Sequence, residues 1–215
     1  MLVKDRMTPN PATITPDTSF PDAFRIIREK KIRHLPVVDA EGKLVGVVAQ
    51  TDLLHASPSA VTTLSIFEVN YLLANLHIRE VMSSPPITVI EEAPLEEAAR
   101  LMVEKKIGCL PVMRDGTLVG MITETDIFEA FVEVLGGREA SLRVTLRVRD
   151  VRGELARLAG VVAQLGGNIC SVARFRSQDP GHAFITFRLE GVVEEALVPA
   201  LKEAGEQVVH VCCAG

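Results

Sequence analysis

The sequence predicts an α+β chain in which a β-α-β-β-α unit occurs twice and a βαββαβ sandwich follows. Three observations support that prediction. Short motifs recur at a nearly constant offset of 75 or 74 residues through the first part of the chain. The hydrophobic period then changes after Gly136-Gly137. Finally, the 215 residues are 47% hydrophobic and 24% charged, which suits folded domains rather than a disordered chain.

The first unit opens on Val3-Lys4-Asp5-Arg6-Met7-Thr8-Pro9, and the second on Ile78-Arg79-Glu80-Val81-Met82-Ser83-Ser84-Pro85. Ser19 with Asp22 three residues on is a capping-box-like helix start, and Ala23, Phe24 and Ile27 recur at helical spacing. Residues 35–38 and 44–48 are β-branched runs across a polar, Gly-containing turn, the pattern of an antiparallel hairpin. In the second unit Pro94 suits the first turn of a helix whose Leu95, Ala98, Ala99 and Met102 share a face. Residues 110–113 and 118–122 repeat the hairpin. Asp39-Ala40-Glu41-Gly42 shortens there to Arg114-Asp115-Gly116, and a turn is where a length change costs least. Between the copies Ala56-Ser57-Pro58 marks a loop, and Leu64, Phe67, Tyr71, Leu72 and Leu76 predict an amphipathic connecting helix.

Beyond the paired glycines, residues 142–149 alternate with apolar side chains at even numbers, as a half-buried strand does. A helix carrying Leu155, Leu158, Val161, Val162 and Leu165 stops at Gly166-Gly167. Strands follow around residues 168–176 and 182–190, joined by Ser177-Gln178-Asp179-Pro180-Gly181, then a helix over 193–204 and a strand over 207–212. That order is the ferredoxin-like sandwich. The expected division is therefore 1–56 and 78–135 for the copies, 57–77 for the connection and 140–215 for the sandwich.

Charge and composition narrow the function. The net charge is −5, and the excess of acid lies in the duplicated part, since residues 141–215 carry nine Lys/Arg against eight Asp/Glu. Such a balance argues against sequence-independent nucleic-acid binding, which needs neutralised phosphates. The chain has no run of 18 uncharged apolar residues, and its first residues lack an apolar signal stretch, so a cytoplasmic protein without membrane contact is expected. Cys109, Cys170, Cys212 and Cys213 show no C-x-x-C spacing; Cys109 and Cys170 lie in apolar runs and read as small buried hydrophobes. The five histidines are scattered, and G-x-S-x-G, H-E-x-x-H and Walker-type loops are missing. Neither a catalytic nor a metal site is expected.

The chemistry concentrates at Gly120-Met121-Ile122-Thr123-Glu124-Thr125-Asp126 and at Gly46-Val47-Val48-Ala49-Gln50-Thr51-Asp52. Each reads as a buried strand turning into a helix. First-turn N–H groups attract phosphate, and a carboxylate accepts both hydroxyls of a ribose. The competing reading is a helix cap and nothing more, because Thr and Asp both cap well. For Arg33 and His34 the competing reading is a solvated basic helix end, shared with Arg25, Arg28, Lys30 and Lys31.

The duplicated part resembles a tandem pair of CBS domains over roughly residues 1–135, on the Asp5-Arg6-Met7-Thr8 and Glu80-Val81-Met82-Ser83 starts, the Leu35-Pro36-Val37 and Leu110-Pro111-Val112 hairpins and the two junctions. The resemblance implies an adenine nucleotide (AMP, ADP or ATP) or S-adenosylmethionine in the cleft between the copies. It places the ribose on Asp126 and Asp52, hydroxyl contacts on Thr123, Thr125 and Thr51, phosphates near Arg33 and His34, and the adenine edge on backbone at Thr13 and Thr88. Ala49 stands where the second copy has Thr123, and Gly108 and Cys109 stand where the first has Arg33 and His34. The sandwich resembles an ACT domain on Asp150-Val151-Arg152-Gly153-Glu154-Leu155 and Leu165-Gly166-Gly167-Asn168-Ile169, with Arg152 in place of the usual Pro. That family implies an amino-acid ligand at Gly153 and Asn168; tight-turn roles for both are the alternative. The whole arrangement resembles the AcuB-like, acetoin-utilisation family. The expectation is a non-catalytic homodimeric sensor acting on a target protein the sequence does not name. A dimerisation scaffold with vestigial sites, or an enzyme of acetoin metabolism, is the alternative.

Overall fold

The computed structural model describes residues 1–57, 65–137 and 140–214, and it divides into two compact units, Met1–Ile127 and Phe128–Gly215. In the first, a 3₁₀ turn at Val3–Asp5 leads into β1 (Thr8–Pro9), α1 (Phe20–Lys30), the hairpin β2 (His34–Val38) and β3 (Leu44–Ala49), and α2 (Gln50–Ala56). Next come α3 (Ile66–Asn75), a second 3₁₀ turn at Ile78–Glu80, β4 (Val89–Ile90), α4 (Leu95–Lys105), the hairpin β5 (Cys109–Arg114) and β6 (Thr117–Thr123), and α5 (Glu124–Val134). The division of the chain falls within α5.

Local chemistry accounts for these elements. Ser19 caps α1 by accepting the Asp22 N–H at 3.3 Å, while Pro21 lies in the first turn. Ala23 and Ile27 then face the core formed by Ile14, Leu35, Val37, Val48, Leu53 and Ile78. Pro94 is the N-cap of α4, one residue earlier than the first-turn position expected. The shorter second hairpin turns on Asp115 and Gly116, both at positive φ (48° and 81°), as a two-residue type I′ turn requires. The longer first turn closes on Asp39, whose Oδ1 accepts the Lys43 N–H at 2.8 Å.

The leading segments cross between copies. β1 pairs antiparallel with β6, Thr8 opposite Met121, giving a sheet ordered β1-β6-β5-β4. In the first copy the β2–β3 hairpin is extended by single bridges, Ile14 to Val37 and Ser83 to Val47. Each sheet is thus edged by the start of the other copy. Glycines permit the crossing: a Cβ on Gly46 would lie 2.6 Å from the Met82 sulfur, and one on Gly120 would collide in the same way with Met7.

The connecting helix departs from expectation. α3 packs half-buried Leu73, with Leu76 just beyond its end, against the first-copy core, but Phe67, Tyr71 and Leu72 are exposed. Of the residues that marked the expected stripe, Leu76 therefore meets the core while Phe67, Tyr71 and Leu72 do not; Leu64 lies outside the described residues.

The second unit carries β7 (Ser141–Arg149), α6 (Glu154–Gln164), β8 (Asn168–Arg176), β9 (His182–Glu190), α7 (Glu194–Glu203) and β10 (Gln207–Ala214). The sheet order is β10-β7-β9-β8, antiparallel throughout, as in the ferredoxin-like sandwich. Leu142, Val144, Leu146 and Val148 point inward from β7 and meet Leu158 and Val162 of α6 and Leu197 and Leu201 of α7. No helix among the described residues is long and apolar enough to cross a membrane.

Candidate functional site

The two strand-to-helix junctions fold alike because each aspartate closes its own turn. Asp126 Oδ2 accepts from the Thr123 N–H and from Thr123 Oγ1, both at 2.7 Å, and Thr123 Oγ1 accepts in return from the Asp126 N–H at 3.4 Å. Asp52 Oδ2 accepts the Ala49 N–H at 2.8 Å, with no hydroxyl to help it. Both capping and ligand-facing readings are compatible here. One oxygen serves the cap, and Oδ1 takes no part in it.

Each junction opens on its own cleft. The Asp126 cleft, about 530 Å³, is walled by Asn10 and Ala12 of the first leading segment, by Lys30 to His34 at the end of α1, and by Met121, Thr123 and Thr125. The Asp52 cleft, about 740 Å³, is walled by the corresponding parts of the other copy: Ser83 and Pro85 to Ile87, Lys106 to Cys109, with Val47, Ala49 and Thr51. Arg33 and His34 border both clefts. Their volumes lie in the range of small-molecule sites. A larger groove of about 880 Å³ between α1 and α3 is lined by Phe20, Phe24, Arg25, Arg28 and Leu73. It draws on the first copy and the connecting helix alone, and neither junction reaches it.

The fold thus brings together Asp126, Thr123, Thr125, Arg33 and His34 at one cleft and Asp52, Thr51, Arg33 and His34 at the other. Asp126 and Asp52 do not share a cavity. Thr13 and Thr88 are exposed and line neither cleft; their predecessors Ala12 and Ile87 do. Gly153 is the N-cap of α6 at φ 86°, and Asn168 is an exposed residue opening β8 opposite Glu190, both in the second unit. A positive φ at Gly153 meets the tight-turn requirement, whereas Asn168 sits in extended strand rather than in a left-handed turn.

Sequence reasoning missed Lys106, and it assigned Lys31 only to a basic helix end. Both terminate their helices in the left-handed region, at φ 53° for Lys31 and 56° for Lys106, and both line a cleft. A side chain bearing a Cβ is uncommon there. The signal that could have found them is the repeat itself, since they are the same residue at the 75-residue offset.

Electrostatics differ between the clefts. Arg33 reaches across the copies and donates from Nη2 to Thr125 Oγ1 at 2.8 Å. His34 is pushed below the ordinary imidazole range, first by burial and then by the Arg33 charge, with Asp52 and Glu124 opposing. Burial, reinforced by the charges of Asp52 and Glu124, pushes the Cys109 thiol up to about 12. That thiol is no nucleophile at neutral pH.

The CBS domain family matches residues 3–59 and 78–133, and a TTHA0829-like ACT domain matches residues 140–212. CBSX2 of Arabidopsis thaliana, solved in complex with AMP, is 34% identical with a TM-score of 0.51, covering 62% of this chain and 97% of its own. AcuB from Vibrio cholerae is 36% identical with a TM-score of 0.52, covering 63% and 93%. The CBS domain pair of protein MJ0100, solved with 5′-methylthioadenosine and S-adenosyl-L-methionine, is 31% identical with a TM-score of 0.52, covering 65% and 98%. The chain therefore belongs to the CBS-domain family, as an AcuB-like tandem CBS pair followed by a TTHA0829-like ACT domain.

Proposed function

We propose that this protein is a cytoplasmic, non-catalytic sensor that binds an adenine nucleotide or S-adenosyl ligand in its CBS pair and passes the signal to a target protein. The observation that carries the reading is that each cleft draws its walls from both copies, so an occupant touches both at once. A ligand of that kind favours one arrangement of the copies by its difference in affinity between arrangements. In this reading Asp126 and Asp52 hold ribose hydroxyls through their second oxygens, and the cation-rich end of α1 receives phosphate. The AMP held by CBSX2 and the methylthioadenosine and S-adenosylmethionine held by the MJ0100 pair support the ligand class. The ACT domain serves as an amino-acid sensor at Gly153 and Asn168 or as the dimerisation module of a homodimer.

A thermal-shift screen of the full chain with AMP, ADP, ATP, S-adenosylmethionine and the common amino acids tests this. A ligand at about 100 times its dissociation constant adds roughly 2.7 kcal/mol to stability. A shift with an adenine compound is the expected result; no response to any of them would reduce the protein to a scaffold.

A further inference from the structure

We infer that the two clefts take different ligands: the Asp126 cleft a phosphorylated adenine nucleoside, and the Asp52 cleft an adenine nucleoside whose 5′ substituent is neutral or cationic. This rests on the adenine-nucleoside reading above and adds to it which ligand goes where. The two clefts are built from matching segments of the two copies and should be equivalent, yet the residues at matching positions are not. Arg33 and His34 correspond to Gly108 and Cys109, Thr123 to Ala49, Asn10 to Pro85, and Ala12 to Ile87. Each exchange removes a cation or hydrogen-bonding group from the Asp52 side, or adds apolar wall to it.

Charge placement runs the same way. Lys30, Lys31 and Arg33 line the Asp126 cleft against one carboxylate. Arg33 borders both clefts, but its guanidinium is tied to Thr125, the residue before Asp126. The Asp52 cleft holds two carboxylates, Asp52 and Glu124, against Lys106 and Arg33. The Glu124 carboxylate lies beside Gly108: a Cβ on that glycine would be in ordinary contact, 3.5 Å from Glu124 Oε2 and 3.7 Å from His34 Nε2. The first copy has neutral Gln50 at the Glu124 position. A phosphate entering the Asp52 cleft would meet Glu124, a neutral Cys109 thiol and the Pro85–Ile87 wall, and a like charge opposes it. A thioether loses nothing in that setting, and a sulfonium gains from the carboxylates.

Calorimetric titration of the full chain with AMP and with 5′-methylthioadenosine tests the assignment, using wild type, Arg33→Gln and Glu124→Gln. Arg33 is exposed, and Gln at position 124 matches the residue the first copy already uses, so both variants should fold. Arg33→Gln should weaken AMP about 10- to 150-fold, and at least about tenfold more than it weakens methylthioadenosine. Glu124→Gln should raise the AMP stoichiometry from about one to about two per chain by admitting phosphate to the second cleft. Equal weakening of both ligands in Arg33→Gln, two equal AMP sites in wild type, or no second AMP site in Glu124→Gln overturns the assignment. Failure of one ligand alone to bind wild type overturns the assignment, whereas failure of both overturns the adenine-nucleoside reading itself, which separates the two outcomes.

Discussion

Asp126 uses its two carboxylate oxygens for different tasks. Oδ2 closes the turn at Thr123, which fixes where Oδ1 can be. Replacing Asp126 by Ala therefore removes a cap as well as a ligand group, and should lower stability by about 0.5–2 kcal/mol in urea denaturation. Asp126→Asn keeps an acceptor for the cap and should lose less. His34 gives a second expectation at this scale. Burial and Arg33 depress its folded-state pKa, with Asp52 and Glu124 facing it as the opposing charges. Below its ordinary value of about 6.5 the unfolded chain takes up the proton first, so stability falls as pH drops from there toward the depressed folded value. His34→Gln should flatten stability against pH in that window; a wild-type profile that the variant leaves unchanged would remove His34 from the account.

At the scale of elements, the crossing of leading segments explains the pairing of Met and Gly in the repeat. Met7 and Met82 lie over Gly120 and Gly46, which lets Thr8 and Ser83 become cleft walls. Gly120→Ala should cost about 1–3 kcal/mol through overpacking, because Thr8 backbone as well as the Met7 tip must move. The same variant should weaken a ligand of the Asp126 cleft; destabilisation without any loss of affinity would argue that the strand edge does not shape the site. Local elements were legible in the sequence because their signals are local: the Ser19 cap, the even-numbered alternation of β7, the Asp115-Gly116 turn. The exchange of edges was not, because Met7 and Gly120 are far apart in the chain and neither pattern points to the other. The exposure of Phe67, Tyr71 and Leu72 on α3 was missed for a related reason, since periodicity identifies an apolar stripe without saying whether a neighbour covers it. At the site, the repeat pointed to the two junctions and the family resemblance to Arg33 and His34, while the separation into two clefts depends on how the copies are interleaved.

For the whole molecule, two units with separate cores carry the two family resemblances. An adenine nucleotide bound by the CBS pair should slow amide exchange around residues 8–12, 30–34 and 121–126 in hydrogen-exchange mass spectrometry of the full chain. Protection confined to the second unit would place the ligand elsewhere. The central claim is that the junction carboxylates hold ribose hydroxyls, and titration of AMP beside 2′-deoxy-AMP into wild type and Asp126→Asn tests it most directly. In wild type the missing hydroxyl should weaken binding about tenfold or more, as loss of a hydrogen bond to a charged group does. In Asp126→Asn AMP should itself bind about 10- to 150-fold more weakly, and the gap between the two nucleotides should close. Unchanged AMP affinity in the variant, or a gap that persists at its wild-type size, would contradict the account.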